Sequence, residues 1–249
     1  MDRLQPWRGR VPRLWRFLQK ASGRRRAPKK VQSLRVLRQR VTPVSTVIDV
    51  GVLHGTIELR RIFGDARHYL FEPMVECAPV IKMAYAGCDH VLIHKAVSDE
   101  DGEVTLKVSG EPGSVRAGAV VAPGETKGAE RTVQRISLDT YFSGGAGLEG
   151  GCLLKVDTDG HELNVLKGAV RLLPRCSIVI VEATASALPE ISGFMQAQGF
   201  VIYDMVEPCY YDESLWQVDL IFISSTLHAE LFETIADQGY HSEKYHIYS

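Results

Sequence analysis

The sequence has no run of roughly 18 or more apolar residues, so no membrane-spanning helix is expected. The first residues lack the uninterrupted apolar stretch of a secretory signal, and a cytoplasmic location is the expectation. Cysteine is sparse. Cys77, Cys88, Cys152, Cys176 and Cys209 are dispersed and form no CxxC pair. An odd, scattered set argues against a disulfide frame or a zinc site and suits reduced thiols. No internal repeat is visible, and no G-x-G-x-x-G turn is present to cradle a pyrophosphate.

What is present suits one α/β domain with extensions: 249 residues, 45% of them hydrophobic. The net charge of −1 hides an asymmetry. Residues 1–40 carry 14 Lys or Arg and one acid, Asp2, whereas the rest carries 15 basic and 29 acidic residues. The two parts therefore do different work. Val11, Leu14, Trp15 and Leu18 recur at helical spacing, with Arg13, Arg16 and Lys20 on the opposite side and Phe17 at the edge. A basic linker follows, so residues 1–30 read as an amphipathic helix with its linker and 31–249 as the main domain. Such a helix can dock on the domain or on a second subunit, or residues 11–20 can lie peripherally on an anionic membrane. No RNA-binding motif accompanies it, and nucleic acid is not expected as a partner. An oligomer remains open, the apolar stripe being one contact surface.

From about residue 31 the pattern becomes regular. Leu34, Leu37 and Val41 predict a helix that Pro43 ends. Strands are predicted at 44–50, 69–71, 90–96, 153–156, 178–181, 200–203 and 219–223. Helices are predicted at 56–63, 75–85, 162–172 and 188–198. Strands alternating with helices imply a mainly parallel, doubly wound sheet covered on both faces. A small added strand fits 103–108. Residues 109–130 are rich in Gly and Pro and read as a long binding loop, and 143–147 as a flexible connector.

The chemistry gathers at strand ends. Val47-Ile48-Asp49-Val50-Gly51-Val52-Leu53-His54-Gly55 is a strand entering a glycine turn and then a helix. Gly51 allows a sharp turn and close ligand approach, and Gly55 a tight helix entry. Asp49 is suited to accept from a cationic amino group. Glu72, closing the next strand 23 residues later, is suited to hold two ribose hydroxyls. An acid in the turn would repel pyrophosphate. A ribose-bearing ligand without phosphate fits better, and S-adenosylmethionine is the obvious one.

The chain resembles the FkbM family of methyltransferases. The matching stretches are the glycine turn above, Tyr69-Leu70-Phe71-Glu72-Pro73, His94-Lys95-Ala96-Val97-Ser98-Asp99 followed by Gly102, and Ile136-Ser137-Leu138-Asp139. Leu154-Lys155-Val156-Asp157-Thr158-Asp159-Gly160-His161-Glu162, continuing to Ala169, completes the set. The resemblance covers about residues 44–224. It implies a Rossmann-like sheet with an antiparallel last strand, S-adenosylmethionine as donor, and an oxygen acceptor on a sugar, glycolipid or other small molecule. It assigns cofactor contacts to Asp49, Gly51, His54, Gly55, Glu72, Pro73, Ala96 and Asp157. Two departures stand out. Val52, Leu53 and His54 replace a small residue followed by Asn, and Asp159 replaces a Glu one methylene longer.

Methyl transfer from a sulfonium requires alignment and often a base. Asp157 lies at a strand end, where ligands of doubly wound sheets sit, and is the leading candidate. His161 is a second candidate base, and Glu182 ends the next strand on the same rim, suited to acceptor hydroxyls. Glu162 fits a first-turn helix acid. Asp157, Asp159 and Glu182 carry oxygens suited to Mg²⁺, but spacing does not make them converge, and no metal is assigned. Tyr210, Tyr211 and Trp216 are of the type that stacks on a ring. N-methylation is disfavoured because the Asn/Asp-Pro-Pro-Tyr signature is missing. A binding protein that keeps the fold without catalysis is the alternative of a different class.

Overall fold

A computed structural model describes residues 29–41, 44–109, 116–120, 129–144, 148 and 150–245. The basic helix expected at 11–20, its linker, and parts of 109–130 and 143–147 lie outside the described residues. Pro28–Phe232 form one compact unit. Glu233–Ser249 group apart from it. There Thr234 caps the short helix α8 (Ile235–Gln238) by accepting from Asp237 N, and a 3₁₀ turn follows at Ser242–Lys244.

The compact unit opens with α1 (Lys30–Arg40), which buries Leu34 and Leu37 completely, as their spacing predicts. Arg38 and Arg40 fall in its last turn, where positive charge suits the helix dipole. Strand β1 (Val44–Val50) then enters the sheet. After it come α2 (Ile57–Ile62), β2 (Arg67–Phe71), a 3₁₀ turn at Val75–Cys77, α3 (Ala78–Ala84) and β3 (His90–Ile93). The run expected as one helix over 75–85 is thus divided, with Pro79 tolerated in the first turn of α3.

The strand expected over 90–96 also divides. It leaves the main sheet after Ile93, and β4 (Ala96–Val97) pairs elsewhere. Strands β5 (Gly102–Ser109), β6 (Arg116–Val120) and β7 (Ala129–Ile136) join it in a second, four-stranded sheet of order β4-β7-β5-β6. The reading of 109–130 as loop is corrected there: residues 116–120 and 129 onward are strand, ladder-bonded to β5.

The chain returns through α4 (Leu138–Tyr141), β8 (Gly151–Val156), α5 (Glu162–Lys167), β9 (Cys176–Thr184), α6 (Leu188–Ala197), β10 (Phe200–Tyr211), β11 (Ser214–Ser224) and α7 (Ser225–Leu231). Helix α5 stops before the expected 172. A β-carbon on Gly168 would sit 2.0 Å from the Ser98 carbonyl oxygen, so the chain there packs directly on the segment after β4. The seven-stranded sheet has the order β10-β11-β9-β8-β1-β2-β3. Strands β3, β2, β1, β8 and β9 are parallel, and β11 is antiparallel to both its neighbours. This is a Rossmann-like sheet with a reversed strand near one edge.

Period-two alternation sends residues to opposite faces. Ile48, Val50, Leu154, Val156, Val179 and Val181 pack with Val165 and Leu166 of α5 and Ile191 and Met195 of α6. Val47, Leu153, Ile178, Ile180 and Ile221 pack with Leu34, Leu37 and Leu59 of α1 and α2. Each such side chain stabilises the fold by about 1.5–3 kcal/mol through burial. The chain leaves β1 toward β2 on one side and, later, returns as β8 on the other. A crevice must therefore open beyond the carboxyl ends of these strands.

Candidate functional site

A cavity of about 420 Å³ occupies that crevice. Its walls include the turn from Val50 to Thr56, Glu72 and Pro73 after β2, and Lys95 to Ser98. Asp157 to Asp159 and His161 follow β8, and Val104 and Leu106 come from the second sheet. Gly51, His54, Gly55, Glu72, Pro73, Ala96, Asp157 and His161 all line it. The strand-end rule and the glycine turn therefore brought most of the expected residues together.

Gly51 is positioned by its neighbours on both sides. Its N–H donates to Phe71 O at 3.1 Å, and Asp157 N donates to Val50 O at 3.1 Å. Its φ is +81°, and a β-carbon would fall 1.7 Å from the Asp157 carbonyl oxygen. Only glycine lets the first turn and the end of β8 approach so closely.

Glu72 is 4% exposed and shapes the turn as well as facing the cavity. Its carboxylate accepts from Leu53 N at 2.8 Å and from Met74 N at 2.9 Å. Leu53 holds a positive φ of 50°, and the Glu72 bond compensates that strain. Burial raises the Glu72 pKa, opposed by the two N–H donors. A carboxylate has about four lone-pair sites, so acceptor capacity remains toward the cavity.

Asp49 is placed differently from a ligand-facing acid. It is fully buried and does not line the cavity. Strand alternation turns its side chain toward the face covered by α1 and α2. There its Oδ1 lies 3.2 Å from Lys155 Nζ, and its Oδ2 accepts from the Tyr85 hydroxyl at 3.3 Å. Tyr85 OH in turn accepts from Thr56 N.

Lys155 was overlooked by sequence reasoning. Its side chain is 5% exposed and lies 3.1 Å from Asp157 Oδ2, and it donates to Gly51 O at 2.9 Å. Burial opposes its charge, but Asp49 and Asp157 together hold its pKa above the ordinary lysine value. The signal was legible in principle: a lysine inside Leu153-Leu154-Lys155-Val156 must find a buried partner.

The polar row continues across the sheet. Glu182 lies near the end of β9, close enough to Asp157 to feel its charge. It also accepts from Gln217 Nε2 of β11. It does not line the cavity and so stands behind Asp157 rather than in the open site. Burial, then the charges of Asp157 and Asp219, push its pKa up to about 8. Asp219 pairs across the ladder with Glu182 and lies 2.7 Å from Lys30 Nζ, which also lies 3.4 Å from Glu58. Lys30 and Glu58 line the cavity too, which the sequence did not reveal.

The turn after β8 is held by Glu162. It accepts from Thr158 N at 3.0 Å and Gly160 N at 2.9 Å, closing a loop in which Asp159 has φ 51° and Gly160 φ 99°. Glu162 therefore does more than complement the helix dipole: it fixes the backbone that follows Asp157. His161 Nε2 lies 3.0 Å from Ser98 Oγ, and burial lowers its pKa, which favours the neutral imidazole. Tyr210, Tyr211 and Trp216 are exposed on the β10–β11 hairpin and do not line the cavity. Among the described residues, no group of three or more His, Cys, Asp or Glu is arranged to hold a metal. No described helix is long and apolar enough to cross a membrane.

Fold and crevice together define a Rossmann-like methyltransferase domain. The family described as Methyltransferase FkbM domain matches residues 49–242, and the chain belongs to it. Curated protein sequences gave no match. Among solved structures, a precorrin-6y C5,15-methyltransferase from Geobacter metallireducens GS-15 is similar at 10% identity and a TM-score of 0.43, over 77% of this chain and 84% of that one. A ribosomal protein L11 methylase from Lactobacillus delbrueckii subsp. bulgaricus is similar at 14% identity and 0.42, over 78% and 77%.

Proposed function

We propose that this methyltransferase uses S-adenosylmethionine to methylate a hydroxyl of a sugar, glycolipid or secondary metabolite, with Asp157 as the base. The observation that carries the reading is the contact between the glycine turn and the Asp157 backbone. It sets a half-exposed carboxylate at the mouth of a cavity with an acid, Glu72, on its opposite wall.

The donor set fits the cofactor. Glu72 offers remaining acceptor capacity to ribose hydroxyls, and Phe71, Val97, Val104 and Leu106 offer apolar walls to a purine. Asp157 and the carbonyl-rich turn offer acceptors to an ammonium, and Gly51 leaves room for the ligand. When bound, S-adenosylmethionine supplies an electrophilic methyl on a sulfonium. The chain's own work is to align the acceptor and remove its proton. Asp157 takes that proton at a carboxylate oxygen. Glu182, behind it and shifted toward the neutral form at pH 7, limits the charge that accumulates there. Neutral His161, fixed by Ser98, orients the acceptor from the neighbouring wall.

Thermal melts with S-adenosylmethionine and S-adenosylhomocysteine test the reading. Ligand at about 100 times its Kd stabilises by roughly 2.7 kcal/mol, a shift of several degrees. An unmoved melting temperature with both ligands rejects the cofactor. With an acceptor substrate in hand, Asp157→Asn is expected to lose turnover far more than cofactor affinity; unaltered turnover rejects the base.

A further inference from the structure

Lys155 stands where two parts of the site must be kept in register. An ammonium has three donors. Here it has three oxygens within reach: Asp49 Oδ1 at 3.2 Å on β1, Gly51 O at 2.9 Å in the turn, and Asp157 Oδ2 at 3.1 Å beyond β8. Asp49 and Lys155 are directly opposite in the β1–β8 ladder, so the contact is built into the strand register. Asp49 is itself fixed on its other side by the Tyr85 hydroxyl. We infer that Lys155 is a positioning residue, which fixes the Asp157 carboxylate and the Gly51 carbonyl relative to each other so that both meet the cofactor's amino-acid end. The inference rests on the reading of the cavity as the S-adenosylmethionine site.

The alternative role is purely structural, a buried charge neutralising Asp49. The geometry distinguishes them. A neutraliser of Asp49 needs one partner, whereas Lys155 also donates to Gly51 O and pairs with Asp157, both at the cavity, and its own side chain contributes to the wall. Titratable groups face it from every side, and the named ones are mostly acidic. Asp49 and Glu72 lie on the β1–β2 side, with the hydroxyl of Tyr85, the residue that follows α3. Asp157 follows its own strand, Glu182 and Asp219 come from β9 and β11, and Lys30 from α1. Loss of the ammonium leaves two carboxylates facing each other without a cation, and one of them then holds a proton at neutral pH.

Calorimetric titration of the full chain with S-adenosylhomocysteine, in buffers of different ionisation enthalpy at pH 7, tests this. Wild type is expected to bind with little net proton exchange. Lys155→Met is expected to bind about tenfold or more weakly, because site preorganisation is lost. It should also release on the order of one proton per ligand as the cationic end reclaims the carboxylate. Lys155→Arg, which keeps the charge, is expected to suppress that proton release even if affinity recovers only in part. Should Lys155→Met fail to fold, the double variant Asp49→Asn/Lys155→Met removes the buried charges as a pair and still leaves Asp157 without its cation. It should show the same weakened binding. Variants that match wild type in affinity and proton count overturn the positioning role while leaving the cofactor reading intact. A wild-type chain that binds no S-adenosylhomocysteine overturns both.

Discussion

Replacing Gly51, in the turn after β1, with alanine should damage this protein more than the same change at Gly160, in the turn after β8, and the excess can be worked from the geometry. Gly51 and Gly160 both hold φ in the left-handed region, +81° and +99°. An L-residue there costs about 1–2 kcal/mol at either site. At Gly160 nothing lies within 4 Å of the added carbon, so that strain is the whole effect. At Gly51 the carbon meets the Asp157 carbonyl oxygen at 1.7 Å and its carbon at 2.8 Å. Both are backbone atoms and no rotamer change relieves them. The ends of β1 and β8 must separate, which strains the 3.1 Å bond from Asp157 N to Val50 O and adds about 1–3 kcal/mol of overpacking. For a domain of this size each kcal/mol lowers Tm by roughly 2–4 °C. Gly160→Ala should therefore melt a few degrees below wild type, and Gly51→Ala several degrees lower still. Calorimetric melts measure the stability difference, and titration with S-adenosylhomocysteine measures the site: Gly51→Ala should also lose binding, since the carbonyl held by Lys155 moves with the strand. Equal melting temperatures for the two variants, with binding retained in both, would refute the claim that backbone contact at Gly51 sets the crevice.

Glu162→Ala should destabilise by about 2–4 kcal/mol, because two backbone donors, Thr158 N and Gly160 N, lose a charged acceptor. Faster amide exchange at Gly160 is the direct readout, and Glu162→Gln should recover part of the loss. Glu182 makes stability pH-dependent in a defined direction. Its folded-state pKa is raised from 4.5 to about 8, so the folded state binds more protons and stability falls as pH rises through that interval. Glu182→Gln should flatten that part of the stability curve and be the more stable form above pH 8; parallel curves for the two proteins would count against it. Tyr85→Phe removes the hydroxyl that donates to Asp49 and accepts from Thr56 N, at a cost of about 1–3 kcal/mol. Denaturant titration should register this as a lower midpoint with an unchanged slope.

The β-branched run at 44–50 and the near-continuous apolar runs at 153–156 and 178–181 were enough to find the central strands, because burial on both faces leaves little room for polar residues. The second sheet was hidden for the opposite reason. In β7 the inward positions include Arg131 and Arg135 and the outward ones Thr132 and Gln134, so geometry alternates while hydropathy does not. Glu72 and Asp157 were found by position at strand ends. Lys155, Asp219 and Lys30 were not, because what they do depends on register between segments far apart in the chain: Asp49 lies opposite Lys155, and Glu182 opposite Asp219.

That register explains the site's origin. The side chains two residues beyond Val47, Leu153 and Ile180 point to the same face as those core residues, at the carboxyl ends of their strands. They are Asp49, Lys155 and Glu182, and Asp219, two residues before Ile221, completes the row across β1, β8, β9 and β11. The cover of α1 and α2 gives way there to the cavity, to which α1 and α2 contribute only Lys30 and Glu58. Asp49, Lys155 and Asp219 are buried in this row, and a charge left there without a partner would be desolvated at a cost. The row meets that demand: Lys155 pairs with Asp49, Lys30 with Asp219, and Glu182, shifted toward its neutral form, accepts from Gln217. The pattern that builds the core, continued two residues past its helical cover, thus becomes the electrostatic frame that holds Asp157 at the mouth of the site.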